Sequence, residues 1–377
     1  MAESRRVRKT KVKSPVWARL VVTLGLLVGL AGFGGMAMVG KYFGDLTGGI
    51  ETGTTSESGA PVEKVSAGKA LKGPITLLLL GIDHREGWAA NDARADTIII
   101  LHISADHDQA YLISLPRDLA VPIPAWSKSG FKGSIMKINA AYEKGAQRGV
   151  GWQGGAGLTE KTIKQLAGIT FNGVVVIDFS GFKNVITAMG GVHMCVEKNT
   201  WSSHYIKNSK GQPEYYSYKG EKPLPNSWIH QKGCRDMAAW EALDYSRQRY
   251  GLPNSDYDRQ KHQQQLLKSM AKKATSAGVL TNPGKLSEIF KAAGSSLKMD
   301  TKGVPRDDFV FSLKSLAAAD LITLKTNGGH FAECAYDIGS SCEGITQGTK
   351  DMLAAVKTDT LGDFITDNPE YLSIPAA

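Results

Sequence analysis

The chain has 377 residues, enough for one large domain or two of ordinary size, and its mean hydropathy of −0.19 fits a soluble body. Its formal net charge of +9 is typical of nucleic-acid-binding proteins, but residues 1–19 alone hold seven lysines and arginines against one glutamate. The basic charge is therefore mostly an N-terminal tail, and we expect no nucleic-acid partner.

An uncharged apolar segment follows this basic tail. Residues 20–40 contain no charged side chain, and about 20 such residues are enough to cross a bilayer as a helix. A cleaved signal peptide is the alternative, but its apolar region is usually only about 7 to 15 residues long. Because basic residues precede the segment, the N-terminus is expected in the cytoplasm. The sequence therefore predicts a single-pass protein of the cell membrane, with its remaining residues outside.

Residues 41–73 are predicted to form a flexible extracytoplasmic linker, because they are rich in glycine, serine and threonine. We expect the ordered domain to span residues 74–360, followed by a C-terminal tail over residues 361–377.

Four cysteines, Cys195, Cys234, Cys334 and Cys342, all lie on the predicted outer side. An even number of cysteines in an oxidising compartment favours disulfides, and three pairings are possible. The short loop favours Cys334 with Cys342, which leaves Cys195 with Cys234. Four unpaired buried thiols are the alternative, and no CxxC spacing indicates zinc.

Three apolar runs of strand length begin the domain. Residues 75–82 are typical of a strand buried on both faces, and TIIILHIS and QAYLISL are typical of a hairpin beside it. Charged residues stand where these strands begin or end, and strand ends are where α/β proteins build their sites. These residues are Asp83, Arg85, Arg94, Asp96, Arg117 and Asp118.

Helical and strand patterns then alternate. A short helix is expected from Lys137, followed by the helix LTEKTIKQLAGI, the strand GVVVIDF, a helix capped by Ser180, and the strand VHMCVE. Residues 145–157 are rich in glycine but lack the GK[ST] ending of a phosphate loop, so we expect a flexible connection. The alternation predicts an α/β fold, with a mixed central β-sheet flanked by helices on both faces.

The C-terminal half is less regular. Residues 199–227 are polar and aromatic, as in an external loop, and a helix is expected from Arg235. Further helices are predicted near residues 284–293, 307–318 and 346–357, with the strand LITLKT between the last two.

The stretch LDYSRQRYGLPNSDYDRQKHQQQLL, residues 243–267, concentrates arginines and carboxylates in two helical halves. The second half predicts a helix from Asp256, capped by Asn254 or Ser255. One face of this helix is polar at its start and apolar at its end, so the polar groups should point inward and need partners or a ligand. A solvated helix pair laced by salt bridges is the alternative. The face comprises Asp256, Arg259, Gln260, Gln263, Leu267 and Met270.

Arg247 and Arg249 precede this helix and could both face one anion if the first helix ends there. Planar guanidinium groups suit phosphate oxygens, and carboxylates among them suit Mg²⁺. Scattered histidines and the absence of HExxH and GxSxG argue against zinc hydrolysis and a serine nucleophile.

The ordered motifs LLLLGIDHR, RADT, SLPRD, KINAAY and RQR…DYDRQKHQQQ resemble the LytR-CpsA-Psr family of membrane-anchored proteins across about residues 74–360. The resemblance implies a phosphotransferase outside the membrane. Such an enzyme moves a polyprenyl-pyrophosphate-linked glycopolymer, such as teichoic acid, arabinogalactan or capsule, onto the muramic acid 6-hydroxyl of peptidoglycan and releases polyprenyl phosphate. The lipid bilayer is a further implied partner.

The resemblance also implies residue roles. Asp83 and Asp96 match the Mg²⁺ ligands, and either could take the hydroxyl proton. The implied catalytic residues are Arg94, Arg117, Asp83 and Asp96. The implied pyrophosphate contacts are Arg94, Arg117, Lys137, Arg247, Arg249, Arg259 and Gln263, with Arg85 as a less strict match, and Asp118 and Asp256 orient the arginines.

This helix departs from the family pattern at two places. His262 stands where the family often has arginine, which puts a phosphate contact there in doubt, and Tyr257-Asp258 replaces a common Leu-Gly. A pyrophosphatase and a non-catalytic cell-wall binding or regulatory module are the competing functions. The two metal carboxylates argue against the binding module, which needs only the arginines.

Overall fold

The computed structural model describes residues 50–55, 72–83, 93–216, 218, 220–276, 282–305, 309 and 320–373. The predicted basic tail, the predicted membrane-spanning segment, Arg85 and nearly all of the predicted helix 307–318 lie outside these ranges. Within them, no helix combines the length and apolar character needed to cross a membrane.

Strands and helices alternate along the domain, as predicted for an α/β fold. The strands are β1 (Glu51–Thr52), β2 (Ile75–Asp83), β3 (Arg94–Ile103), β4 (Gln109–Leu115), β5 (Ala120–Ile123), β6 (Ser134–Lys137), β7 (Gly173–Asp178), β8 (Val192–Val196), β9 (Thr200–Lys207), β10 (Pro213–Tyr215), β11 (Ser227–His230), β12 (Gly233–Met237), β13 (Leu297–Asp300) and β14 (Asp320–Lys325). The helices are α1 (Ala140–Ala146), α2 (Gly151–Ala167), α3 (Phe179–Ala188), α4 (Ala239–Tyr245), α5 (Asp256–Ser276), α6 (Pro283–Ala293), α7 (Gln347–Thr358) and α8 (Leu361–Asp367).

A seven-stranded sheet with the order β1-β13-β7-β2-β3-β4-β14 forms the centre of the domain. The neighbours β2, β3 and β4 are antiparallel, as the predicted hairpin requires, whereas β7 runs parallel to β2 and β14 parallel to β4. The predicted mixed sheet is therefore confirmed.

Alternate side chains of the central strands enter two different cores. Leu78 and Leu80 of β2 belong to the core that includes α1, α2 and α7. Ile75 and Leu77 belong to the core on the other face, against which α5 and α6 pack. Helices therefore cover both faces, as predicted, and each fully buried aliphatic side chain contributes about 1.5 to 3 kcal/mol.

The prediction of a flexible glycine-rich connection over residues 145–157 is wrong. Helix α2 begins at Gly151, and α1 ends at Ala146. The glycines allow the two helices to touch at their backbones: a Cβ on Gly145 would collide with the carbonyl oxygen of Gly154. Composition suggested mobility, but here the small residues serve close helix packing.

Three local predictions in the C-terminal half and around α3 need correction. The expected external loop forms the three-stranded sheet β10-β9-β11. The helix expected from Arg235 begins only at Ala239, because β12 first pairs with β8. Helix α3 is capped by the Asp178 side chain, which accepts from the Gly181 backbone N–H, rather than by Ser180.

The four cysteines form the two disulfides that the sequence favours. Cys195 and Cys234 face each other in the β8–β12 ladder and are joined. Cys334 and Cys342 close a loop between β14 and α7.

Folded structure extends beyond both predicted domain limits. Residues 50–55, expected in the linker, include β1, which pairs in parallel with β13. Beyond residue 360, helix α8 buries Leu361 and the chain continues to the buried Tyr371. The described fold therefore runs from residue 50 to residue 373, with gaps.

Candidate active site

Polar side chains from β3, the β4–β5 connection, β6 and α5 meet at one end of the central sheet. The register of β2 against β3 shifts there: Thr97 pairs with Gly81 and Ala95 with Ile82, so Asp96 is an extra, bulged residue. Bulges redirect side chains at functional sites. This one brings the Asp96 carboxylate to the loop that follows β4.

Arg117 connects three carboxylates in that loop region. Its Nη1 donates to Asp96 Oδ2 over 2.8 Å, and its Nε lies 3.6 Å from Asp118 Oδ2 and 3.9 Å from Asp256 Oδ1. Burial alone would lower the pKa of Arg117, but the three aspartates raise it above its ordinary value. The side chain is therefore a permanent, partly desolvated cation.

Arg259 adds a second guanidinium at the same place. Its Nη2 lies 2.8 Å from Asp256 Oδ1 and donates to the Asp96 carbonyl oxygen over 3.2 Å. Burial lowers the pKa of Arg259 below its ordinary value, and the nearby cations Arg117 and Arg249 lower it further. The charge of Asp256 acts in the opposite direction but does not outweigh them. Two like charges thus lie close together in a desolvated site.

Neither guanidinium is fully satisfied. The Nε–H groups of Arg117 and Arg259 are buried, and among the described residues neither has a hydrogen-bond acceptor. Burying such donors unpaired is costly, whereas phosphate oxygens would satisfy both. We call Arg117 and Arg259, with Asp96, Asp118, Asp256 and Lys137, the arginine clamp.

Lys137 and Asp118 form the edge of the clamp. Lys137 Nζ lies 2.9 Å from Asp118 Oδ1. Burial would raise the pKa of Asp118, but Lys137 and Arg117 hold it below its ordinary value. The carboxylate is therefore ionised at neutral pH and can orient both cations, as the resemblance implies.

The other predicted phosphate contacts lie around the clamp rather than within it. Arg94, which is 52% exposed, pairs through Nε with Glu143 Oε2 over 2.7 Å, a partner that the sequence did not suggest. Arg247 lies 4.0 Å from the centre of the Phe179 ring, and Arg249 donates to the Tyr250 hydroxyl.

An apolar cavity of about 190 Å³ lies beside the clamp, between the sheet and helices α3 and α5. Arg247 and Gln263 also line it, so two predicted phosphate contacts border an apolar space. Its apolar walls include Leu79, Ile99, Val175, Ile177, Phe182 and Leu267.

Asp83 and Asp96 fit the implied Mg²⁺ site. Asp83 is the last residue of β2 and pairs with Arg94 of β3. Arg94 precedes Asp96 by two residues in the same strand. Asp96 Oδ2 accepts from Arg117, and its Oδ1 lies 3.5 Å from Asn139 Nδ2. The donors are oxygens, which Mg²⁺ prefers. Elsewhere in the described ranges, His193, Cys195 and Cys234 have ligand-like spacing, but the two sulfurs form a disulfide.

His262 and Asp258, the two unusual residues of α5, have structural contacts. The buried His262 ring stacks on Tyr245, with centroids 4.1 Å apart, and its Nε2 lies 2.9 Å from the Tyr245 hydroxyl. Burial lowers the pKa of His262 to about 3, so it is neutral and adds no charge to the clamp. Asp258 accepts from the Asn254 backbone N–H over 2.8 Å and so stabilises the turn before α5.

A buried network that the sequence did not reveal fixes α4, the helix that precedes Arg247. Asp244 lies 2.8 Å from His204 Nδ1 and 2.7 Å from His230 Nε2. Burial would raise the pKa of Asp244, but the two histidines hold it well below its ordinary range. For His230, burial alone would lower the pKa, but hydrogen bonds and charge from Asp244 and Glu241 raise it above its ordinary value.

We expect this network to stabilise the fold most in mildly acidic solution. A raised histidine pKa gives stability that is fully present below the unfolded-state pKa, about 6.5, and is lost as pH rises through the folded-state pKa. The loss of unfolding free energy caused by His230→Gln should therefore shrink as pH rises above about 6.5, as measured by urea denaturation. His193→Gln, at an exposed ion pair with Asp236, is the control and should lower the free energy of unfolding by less than about 1 kcal/mol.

A model of the LytR_cpsA_psr family matches residues 44–336. The chain belongs to the LytR-CpsA-Psr family. Similar family members include the polyisoprenyl-teichoic acid–peptidoglycan teichoic acid transferase TagU of Enterococcus faecalis, 30% identical over 61% of this chain and 62% of TagU. The probable cell wall biosynthesis protein LcpB of Corynebacterium glutamicum is 28% identical over 70% of this chain and 56% of LcpB. The chain thus spans less than two thirds of these relatives.

Solved structures agree on the LytR-CpsA-Psr fold. A structure of TagT bound to LIIa-WTA superposes with a TM-score of 0.57 at 22% identity, covering 81% of this chain and 97% of TagT. The structure of a protein from Streptococcus agalactiae superposes with a TM-score of 0.58 at 21% identity, covering 76% of this chain and 88% of that protein.

Proposed function

We propose that this LytR-CpsA-Psr protein is a Mg²⁺-dependent phosphotransferase of the cell envelope. It attaches a polyprenyl-pyrophosphate-linked glycopolymer to the muramic acid 6-hydroxyl of peptidoglycan and releases polyprenyl phosphate. The observation that carries the proposal is the arginine clamp, where two buried guanidinium groups have Nε–H donors without an acceptor among the described residues. The names of the TagU and TagT relatives support the class of donor.

The donor fits two neighbouring regions of the site. The pyrophosphate would bind Arg117 and Arg259, whose N–H groups need an anionic acceptor. The polyprenyl chain would enter the apolar cavity between the sheet and α5. Arg247 and Gln263 border that cavity and would meet the phosphate at its entrance.

The reaction is a displacement at phosphorus. The acceptor hydroxyl oxygen forms a bond to the phosphorus that carries the glycopolymer, the bond to polyprenyl phosphate breaks, and the hydroxyl proton passes to Asp83 or Asp96. The clamp stabilises the charge on the transferring phosphoryl group, a contribution worth about 10² to 10³ in rate for a single donor. When bound to Asp83 and Asp96, Mg²⁺ would neutralise phosphate charge as a Lewis acid.

The proposed location follows from the same chemistry. A lipid-linked donor requires an enzyme at the membrane surface, and residues 20–40 would anchor it with the N-terminus in the cytoplasm. Two disulfides in the described domain support an oxidising, extracytoplasmic side.

The decisive experiment supplies full-length protein with a labelled disaccharide-pyrophosphate-polyprenyl donor, with and without uncross-linked peptidoglycan strands. We expect label to be incorporated into the peptidoglycan strands only when both acceptor and Mg²⁺ are present. With EDTA, the incorporated label should fall to background. Label released only as free phosphorylated sugar would instead establish a pyrophosphatase, and an absence of turnover under all conditions would favour a binding module.

A further inference from the structure

A second cleft, of about 350 Å³, borders the arginine clamp. One wall is the turn before α5, and the other comprises residues 329–331 and 341–343, next to the loop closed by the Cys334–Cys342 disulfide. Asp118 and Asp256 line the cleft and also contact Arg117. The cleft and the clamp therefore share two side chains.

Helix α5 arranges the cleft, the clamp and the apolar cavity in a row. Asp256 lines the cleft, Arg259 belongs to the clamp, and Gln263 lines the apolar cavity. Spacings of three and four residues keep these side chains on one helix face. With a rise of about 1.5 Å per residue, the row extends over roughly 10 Å, with the clamp near its middle.

This row matches the geometry of phosphoryl transfer. The attacking and leaving oxygens lie roughly in line on opposite sides of the phosphorus. If the polyprenyl chain occupies the apolar cavity, the leaving polyprenyl phosphate departs on that side, and the attacking hydroxyl must arrive from the opposite one. We propose that the cleft binds the acceptor glycan and presents its hydroxyl to the phosphorus held by the clamp. This inference rests on the proposed function.

The lining of the cleft suits a neutral sugar rather than a second anion. The carboxylates of Asp118 and Asp256 would repel phosphate but accept hydrogen bonds from sugar hydroxyls. On the rim, Phe331 is 71% exposed and offers the flat apolar surface that a sugar ring face can cover. Charge thus directs pyrophosphate to the arginines and the uncharged glycan to the cleft.

The walls of the cleft are held in place before any ligand binds. Glu343 donates its backbone N–H to the Asp118 carbonyl over 3.0 Å, and its carbonyl accepts from the Ala120 N–H over 2.9 Å. The Glu343 carboxylate also pairs with the Tyr257 hydroxyl and with Asn327 Nδ2. These bonds tie the disulfide loop to the start of β5 and to α5, so the site is preorganised.

Phe331→Ala tests the inference in the full-length protein. The probes are the labelled disaccharide-pyrophosphate-polyprenyl donor and uncross-linked peptidoglycan glycan strands. We expect the acceptor KM to rise about tenfold and the ratio of transfer to hydrolysis to fall, with the donor KM much less affected, because the lost contact touches only the acceptor. Tyr336→Ala, which removes an exposed aromatic ring of the adjacent disulfide loop, outside the cleft, should keep the wild-type ratio.

Other outcomes overturn the inference. An unchanged acceptor KM in Phe331→Ala, or an equal rise in Tyr336→Ala, would place the acceptor elsewhere while leaving the phosphotransferase assignment intact. A wild-type protein that turns over no donor would refute the proposed function itself, and the acceptor site would fall with it. A shared thermal melting temperature of both variants and the wild type confirms that the fold is unchanged.

Discussion

Replacing Arg117 by lysine is expected to lower turnover of the polyprenyl-pyrophosphate donor by about 10² to 10³-fold. Lysine keeps the positive charge among Asp96, Asp118 and Asp256 but lacks the planar fork that binds two oxygens at once. The aspartates therefore remain compensated and the fold should persist, while the phosphate contact is lost. Steady-state release of labelled phosphorylated sugar at saturating Mg²⁺ measures the effect.

Arg235→Lys is the matched control for this substitution. Arg235 also forms a partly buried ion pair, 2.5 Å from Glu241, but it lies outside the clamp. Its variant should keep wild-type turnover. Equal activity of the wild type and Arg117→Lys, with the fold intact by circular dichroism, would contradict the role of the clamp in binding pyrophosphate.

The parts of the fold that the sequence predicted well are those encoded by local pattern. Strands β2 to β4 are continuous apolar runs between turn residues, and strands buried on both faces require that pattern. The inward stripe of α5 was also visible, because Asp256 and Arg259 share a face with Leu267 at helical spacing. Each of these predictions used residues close together in the chain.

The features that the sequence did not predict depend on distant partners. The glycines of α2 suggest a loop until Gly145 of α1 is seen against Gly154. The ion pair of Arg94 joins it to Glu143, which lies 49 residues away in the chain. Strand β1 has two residues, too few for any periodicity, and it forms because β13 pairs with it. Local pattern contains none of this information.

Replacing Lys302 by methionine is expected to lower the free energy of unfolding by about 3 to 5 kcal/mol. The Lys302 side chain is 3% exposed and lies 2.9 Å from Glu160 Oε2 and 3.1 Å from Asp300 Oδ2. Methionine fills similar space but leaves two buried carboxylates without their counter-ion. Burial already raises the pKa of Glu160, so the loss should be smaller in acid, where Glu160 is protonated.

Lys298→Met separates this effect from the general loss of a lysine on the same side of the sheet. Lys298 lies in β13 and bonds Glu51 over 2.6 Å, but its side chain is 24% exposed, so its removal should cost less than about 1 kcal/mol. Urea denaturation at neutral pH compares the two variants, and equal losses would contradict the role of burial. Because Lys302 also lies 2.7 Å from the Thr55 hydroxyl, the expected difference implies that the buried network holds residues 50–55 against the domain. That segment, predicted from composition to belong to a flexible linker, would then be a structural part of the enzyme body.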